Sequence, residues 1–212
     1  MVRSSFRLAA CSALIAAFLS ACAGTDFAPD AGWDDDPEEN AWYRDFYEDW
    51  FGKQLAAANE KPLVDQADLY SFNSRFRLLV LPSFSPAIVL RSDQGKDGSA
   101  TITYTRLNGA GGYDPGGIAV TWARELKAPE LESLNSRISA ANIYDAAQYH
   151  NPVADDGVIT ICADGTRYVF EYLSASGRAF ATRHECDIDE YPELNDLLNE
   201  VLNLAATENI QD

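Results

Sequence analysis

The residues that could support acid–base or metal chemistry are few in this chain of 212 residues, which has two histidines, His150 and His184. A zinc protease helix requires a second histidine one turn after a His-Glu pair, and none follows His184-Glu185. The Gly-x-Ser-x-Gly turn that exposes a nucleophilic serine is also absent from the sequence. The sequence therefore predicts a non-catalytic protein with no metal site and no cofactor.

Two acidic loops are the remaining candidates for a cation site. Carboxylates cluster at Asp155-Asp156 and again at Asp187, Asp189 and Glu190. Carboxylate oxygens bind Ca²⁺, but neither loop has the spacing of an EF-hand, which needs alternating acids, a glycine and a later glutamate. We expect both loops to be solvated acidic turns. A pair of acids for glycoside cleavage is an open alternative, although no spacing selects one.

A glycine-rich segment, GAGGYDPGG at residues 109–117, has the composition of a phosphate-binding loop. It lacks the Lys-Ser/Thr pair of that loop, and it joins two predicted strands instead of leading into a helix N-terminus. We therefore expect a hairpin tip whose glycines permit positive φ. Tyr113 at its apex is a candidate for contact with a partner.

The first residues have the pattern of an export signal. Arg3 and Arg7 precede an apolar stretch at 8–19. As a helix this stretch is roughly 18 Å long, which is too short to span a bilayer core about 30 Å thick and is typical of an export signal. The tetrapeptide Leu19-Ser20-Ala21-Cys22 then resembles the lipobox of bacterial lipoprotein precursors. That resemblance implies cleavage before Cys22, a diacylglycerol on its sulfur and an acylated N-terminus. The alternative is an ordinary secretory signal in which Cys22 is incidental.

The residue after the lipobox bears on location. Ala23 stands where an aspartate commonly retains such lipoproteins in the inner membrane, so the resemblance implies sorting to the outer membrane of a Gram-negative cell. We expect the protein to face the periplasm, and exposure on the outer surface is the open alternative. Several acyl chains, at about 0.8 kcal/mol per buried CH₂, make such an anchor effectively permanent. The predicted organisation is a signal peptide at 1–21, an acidic flexible tether at 22–36, an aromatic helix at 37–60 and an α+β domain at 61–212.

Two cysteines remain for a disulfide if Cys11 leaves with the signal and Cys22 is lipidated. An oxidising periplasm favours pairing of Cys162 with Cys186. In a simple meander the two would lie two strands apart, about 9–10 Å, beyond the roughly 7 Å reach of a disulfide. The prediction therefore requires that Cys186 leaves the sheet or that the strand order differs. No Cys-x-x-Cys redox motif is present.

An aromatic amphipathic helix is predicted to begin at Asp36-Pro37, which combines an N-cap residue with a proline at the first helical position. Trp42, Phe46 and Trp50 follow at intervals of four, with further aromatic residues one step round the helix. Such a helix either completes the core of its own domain or lies in a groove of a partner protein, and both alternatives stay open. Membrane-surface docking ranks third because the polar face is mainly acidic. Gly52 weakens the helix by roughly 1 kcal/mol, so its aromatic half could end there.

The remaining sequence predicts an α+β fold with an antiparallel sheet of about seven strands, built from hairpins and covered by two or three helices. One helix opens at Pro129-Glu130 and the last at Tyr191-Pro192, both with apolar residues at helical spacing. Asp164-Gly165 predicts a short hairpin between the strands that flank it. The predicted strands are 75–81, 87–91, 100–107, 118–126, 157–162, 167–173 and 178–186.

From about residue 54 to residue 205 the chain resembles an uncharacterised family of small bacterial proteins. The resemblance supports the fold and implies no activity, and position 160 departs from it because threonine stands where an aromatic residue is expected. The matching pieces are Arg75-Phe76-Arg77-Leu78, Pro82-Ser83-Phe84, Gly109-Ala110-Gly111-Gly112-Tyr113, Pro115-Gly116, Asp156-Gly157 and the leucine-rich last helix.

Composition narrows the class of partner. A hydrophobic content of 47% excludes a wholly disordered chain, and a net charge of −17 argues against binding nucleic acid or anionic lipid through charge. The predicted function is a non-catalytic lipoprotein that binds or assembles with another protein of the cell envelope. One alternative is an inhibitor of a cell-wall hydrolase such as lysozyme, since an acidic surface speeds encounter with a basic enzyme. A second alternative is an unrecognised envelope hydrolase.

Overall fold

A computed structural model describes residues 49–61, 63, 69–144 and 164–206. They form an α+β fold in which a six-stranded antiparallel sheet has helices on both faces. The helices are α1, described over residues 49–57, α2 (Ala128–Ala141) and α3 (Pro192–Ala206), with a 3₁₀ turn at Ile188–Glu190. The strands are β1 (Ser74–Pro82), β2 (Ile88–Gln94), β3 (Ala100–Leu107), β4 (Ile118–Glu125), β5 (Thr166–Ser174) and β6 (Gly177–His184).

The sheet has the strand order β4-β3-β2-β1-β5-β6, which places the first strand in its centre. The first four strands form a meander, and the β5–β6 hairpin is added to the free edge of β1. Because β5 has β1 on one edge and β6 on the other, neither edge is open to the predicted strand at 157–162. The hairpin predicted around Asp164-Gly165 is therefore wrong, and the 157–162 segment itself lies outside the described residues.

The alternation of side chains along β1 divides the interior into two apolar layers. Phe76 and Leu78 pack with the apolar residues of α2 and α3 on one face, whereas Leu79 and Leu81 pack with those of α1 on the other. Full burial of each such side chain contributes about 1.5–3 kcal/mol. Residues on β1 are thus buried on both faces, as expected for a central strand.

The two helices on the first face begin where the sequence predicts. Pro129 lies in the first turn of α2, and the carboxylate of Glu130 accepts the N–H of Lys127 at 2.7 Å, which satisfies a donor that the helix leaves unpaired. Asn142 ends this helix in the left-handed conformation, with φ of 43°. The predicted apolar face of the last helix is confirmed, with these residues buried in α3: Leu194, Leu197, Leu198 and Val201.

The described part of the aromatic helix packs against its own sheet. Phe51 is 0% and Leu55 1% exposed, and both lie in the layer that contains Val89 and Phe180. The helix continues through Gly52, so the expectation that it could end there is wrong. Burial of Phe51 and Leu55 on either side of the glycine outweighs its loss of about 1 kcal/mol in helix propensity.

Candidate functional site

Two residues singled out by the sequence, Trp50 and Tyr113, lie together at the end of the sheet where β1, β3 and β6 end. Their ring centroids are 5.5 Å apart with the planes inclined by 43°. Trp50 is half-buried at the start of the described part of α1, whereas Tyr113 is 58% exposed in the connection between β3 and β4. The helix and the glycine-rich loop, predicted separately, therefore form one surface.

A single carbonyl oxygen joins the helix to the loop. The Gly112 oxygen accepts hydrogen bonds from Trp50 Nε1 and from Gln54 Nε2, both at 3.0 Å. Gly111 and Gly112 have φ of 90° and 56°, which residues with a Cβ rarely adopt. At Gly111 a Cβ would also lie 2.6 Å from the nitrogen of Ser85. The glycines thus permit the turn and the close approach of the neighbouring loop.

That neighbouring loop brings a third aromatic residue, Phe84, to the surface. Phe84 is 77% exposed in the connection between β1 and β2. The loop is fixed from both sides, because Ser83 N donates to the Gly165 oxygen at 2.9 Å and Gly112 N donates to the Pro82 oxygen at 3.2 Å. Sequence reasoning did not select Phe84. The sequence feature that could have identified it is a lone aromatic residue between two prolines. No periodic apolar pattern includes this residue, so nothing in the sequence predicts its burial.

Trp50, Phe84 and Tyr113 together are named the aromatic loop surface. The guanidinium of Arg167 lies 5.9 Å from the centroid of the Trp50 ring, within cation–π distance. Burial and the positive charge of Arg167 lower the pKa of the nearby His184 below its ordinary value. Among the described residues, this surface therefore offers aromatic contact beside the positive charge of Arg167.

Beneath the end of α1 that leads to Glu60, the same face of the sheet contains a buried network of charges centred on Arg77. Arg77 and Glu171 are both 0% exposed, and Arg77 Nε and Nη2 lie 2.7 and 2.6 Å from the same Glu171 oxygen. Arg77 also donates to Glu60, which follows α1, at 3.3 Å. Arg178 reaches the second Glu171 oxygen at 3.5 Å. These contacts fix the segment after α1 to the sheet.

The network continues on β2. Arg91 donates to Glu60 and, at 3.0 Å, to Asp93, which also accepts from Arg75. Burial alone lowers the pKa of Arg91, but the hydrogen bonds and negative charges of Glu60 and Asp93 outweigh it and raise that pKa. Sequence reasoning missed these residues because arginines at alternating strand positions suggest a solvated face.

Cys186 lies outside the sheet, in the turn that follows β6. The strand ends at His184, two residues before the predicted end, because Asp187 Oδ1 accepts the His184 N–H at 2.8 Å. Glu185 N also donates to the Thr166 oxygen at 2.8 Å, which places this turn beside the start of β5. Of the two alternatives that the sequence left for a Cys162–Cys186 disulfide, the described residues show one, because Cys186 lies outside the sheet. Cys162 lies outside the described residues, so the pairing stays a prediction.

The second acidic loop is solvated at two of its three acids. Asp189 and Glu190 are exposed, as expected, and Asp189 accepts a hydrogen bond from Asn195 at 2.8 Å. Asp187 is 5% exposed, so the expectation is wrong for this residue. Over the described ranges no group of three or more His, Cys, Asp and Glu side chains is placed to hold a metal ion. Within the same residues no helix is long and apolar enough to cross a membrane.

No protein family model, curated protein or solved structure matches the chain. The other residues selected from the sequence lie outside the described residues: Cys22, Trp42, Phe46, His150, Asp155 and Asp156.

Proposed function

We propose that the chain is a non-catalytic lipoprotein that binds another protein of the bacterial envelope through the aromatic loop surface. The observation that carries the proposal is the exposure of Phe84 and Tyr113, at 77% and 58%, on loops whose backbones are fixed by hydrogen bonds. Large aromatic side chains supply most of the binding free energy in many interfaces. Loops that are already ordered lose little conformational entropy when a partner binds.

The anchor is the second part of the proposal and depends on the lipobox at Leu19–Cys22. Cys22 is acylated, residues 22–36 form the tether, and the protein resides in the outer membrane facing the periplasm. Trp50, near the start of the described part of α1, contacts the loop end of the sheet through its hydrogen bond to the Gly112 oxygen. In this proposal the aromatic helix spans residues 37–60, and Trp42 and Phe46 are further candidates for contact with the partner.

Crosslinking in intact cells tests the binding function. A Phe84→Ala/Tyr113→Ala variant of the full chain removes the two most exposed side chains of the aromatic loop surface and leaves the buried residues Phe51 and Leu55 unchanged. We expect it to lose a crosslinked envelope protein that the parent chain captures. Tyr70→Ala is the matched control, because Tyr70 is 84% exposed near the opposite end of β1. Equal capture by all three proteins would contradict the proposal.

Inhibition of a cell-wall hydrolase is the alternative function, favoured by the net charge of −17 against enzymes that are basic. A lysozyme assay with the full chain separates the two functions. The binding proposal predicts unchanged lysis rates at a tenfold molar excess of the chain. Inhibition that weakens steeply as salt rises would favour the alternative, because salt screens the charge attraction.

A further inference from the structure

A cavity of about 340 Å³ lies at the end of the sheet opposite the aromatic loop surface, on the face covered by α2 and α3. The sheet contributes Tyr172 of β5 and Gln94, which ends β2 beside the start of β1. The last turns of α2 contribute Asn135, Ile138 and Ser139. Ligand cavities in proteins have volumes of about 300–1,000 Å³, so this one has room for a small molecule of one ring.

Two tyrosines form the aromatic part of the cavity wall. Tyr144, shortly after the end of α2, meets Tyr172 edge-on, with ring centroids 6.1 Å apart and planes inclined by 76°. The Tyr144 hydroxyl lies 2.8 Å from Ser174 Oγ and donates to the Gly177 oxygen at 3.1 Å, so the β5–β6 hairpin holds its outer end. Tyr144 is nevertheless 43% exposed, which leaves part of its ring open to a ligand. The wall is therefore ordered before any ligand binds.

The polar side chains that line the cavity are uncharged, and several have no partner in the protein. None of the eight described residues around the cavity carries a charge. Within the described part of the chain, the side chains of Asn135, Ser139 and Tyr172 have no hydrogen-bonding protein partner. The Gln94 oxygen accepts from Ser74 Oγ at 3.2 Å, which fixes the amide and leaves its NH₂ group as a donor. An ion would lose its hydration here without gaining an opposite charge, and an apolar molecule would leave these polar groups unpaired.

We propose that this cavity binds a neutral pyranose sugar. The site is separate from the aromatic loop surface and does not depend on the proposed function. A pyranose carries hydroxyl groups around its rim, and each can pair with an amide or a hydroxyl that both donates and accepts, as in Asn135, Ser139 and Tyr172. Its C–H groups are partly positive and are attracted to the negative face of an aromatic ring such as that of Tyr144. A neutral sugar therefore matches the polar lining, the aromatic lining and the volume together.

Saturation-transfer NMR with the purified full chain tests the ligand class. The probes are glucose, galactose, mannose and N-acetylglucosamine, and we expect at least one to bind saturably with a millimolar dissociation constant, as is usual for so small a ligand. Two comparators each remove one half of the match: the uronic acid of the sugar that binds adds a charge, and cyclohexanol keeps a single hydroxyl. We expect both to bind about tenfold more weakly than the neutral sugar. Equal binding of either comparator would overturn the proposal.

A matched pair of variants on α2 tests the location. Ser139→Trp places an indole in the cavity, whereas Ser136→Trp adds the same side chain at an exposed position of the helix that does not line it. We expect Ser139→Trp to abolish sugar binding and Ser136→Trp to bind as the parent chain does. Asn135→Leu keeps the volume of an exposed side chain, removes its hydrogen bonds and should weaken binding about fivefold or more. Parent-like binding by Ser139→Trp would overturn the proposal, and so would failure of all four sugars to bind the parent chain.

Discussion

Removal of the buried cation at the centre of the network, by Arg77→Met, should strongly destabilise the protein. Arg77 is 0% exposed and contacts Glu171, also 0% exposed, and Glu60, whose side chain is 5% exposed. Methionine fills a similar volume, so the main effect is the loss of the charge. Among the described residues, Glu171 would keep Arg178, whose contact is 3.5 Å long, and Glu60 would keep Arg91.

The magnitude follows from the burial of the remaining charges. Leaving an ion buried after its partner is removed costs about 3–5 kcal/mol. We expect the lower end, about 3 kcal/mol, because each carboxylate keeps one arginine. The double variant Arg77→Met/Glu171→Leu removes both fully buried charges and should therefore be more stable than Arg77→Met alone. The double-mutant cycle would then show a coupling of about 2 kcal/mol or more between the two sites.

Urea unfolding followed by tryptophan fluorescence measures these differences. With a slope near 2 kcal/mol per M, a loss of about 3 kcal/mol lowers the midpoint by about 1.5 M. Arg137→Met is the control, because its pair with Asp196 is 45% and 56% exposed and should contribute under about 1 kcal/mol. A midpoint for Arg77→Met equal to that of the control would refute the reasoning. So would a double variant whose destabilisation equals the sum of the two single variants.

Three further predictions concern the anchor, the cysteines and one half-buried ion pair. Radiolabelled palmitate should enter the parent chain and not Cys22→Ser, and label retained in that variant would contradict the anchor. Oxidised and reduced chains should differ in gel mobility, and Cys162→Ser or Cys186→Ser should abolish the difference and cost about 3–4 kcal/mol for a loop of about 25 residues. Glu130→Gln should cost under about 1 kcal/mol at pH 7 because of the lost bidentate contact with Arg124. That contact lowers the pKa of Glu130 in the folded protein, so its stabilisation is present above the ordinary value of 4.5 and is lost as the pH falls through the lower folded value. Urea midpoints of the variant and the parent should therefore converge in acid, and a constant difference would contradict this assignment.

Local patterns were sufficient where one segment determines its own structure. The strand predicted at 100–107 has those bounds in the structure, because alternating polar and apolar residues end at a glycine-rich loop. The last helix was predictable from its leucines, since a 3.6-residue period leaves one apolar stripe that must be buried. Such a strand or helix forms wherever its apolar side can pack against an apolar surface, so its own sequence is enough to predict it.

Features that depend on residues far apart in sequence were not predictable in the same way. The position of β1 between β2 and β5 is decided by packing of segments about ninety residues apart, for which a local pattern has no signal. The burial of Arg77 follows from cover by the segment after α1 and from the opposed Glu171, 94 residues away. Without those partners, arginine on a strand predicts solvent exposure. Phe84 was not selected because a single aromatic residue in a loop belongs to no periodic apolar pattern from which its place in the structure could be predicted.

Helix α1 connects the candidate site to the most strongly fixed part of the fold. Near the start of its described part, Trp50 and Gln54 donate to Gly112, which precedes Tyr113 of the aromatic loop surface, and just beyond its last residues Glu60 binds Arg77 and Arg91. A partner that shifted this helix would have to separate buried ions, at several kcal/mol for each uncompensated charge. The surface is therefore preorganised, and binding there should proceed with little movement of the backbone. Burial of the charges of Arg77, Glu171 and Glu60 costs free energy. A role of these residues in holding that surface in one position is consistent with this cost.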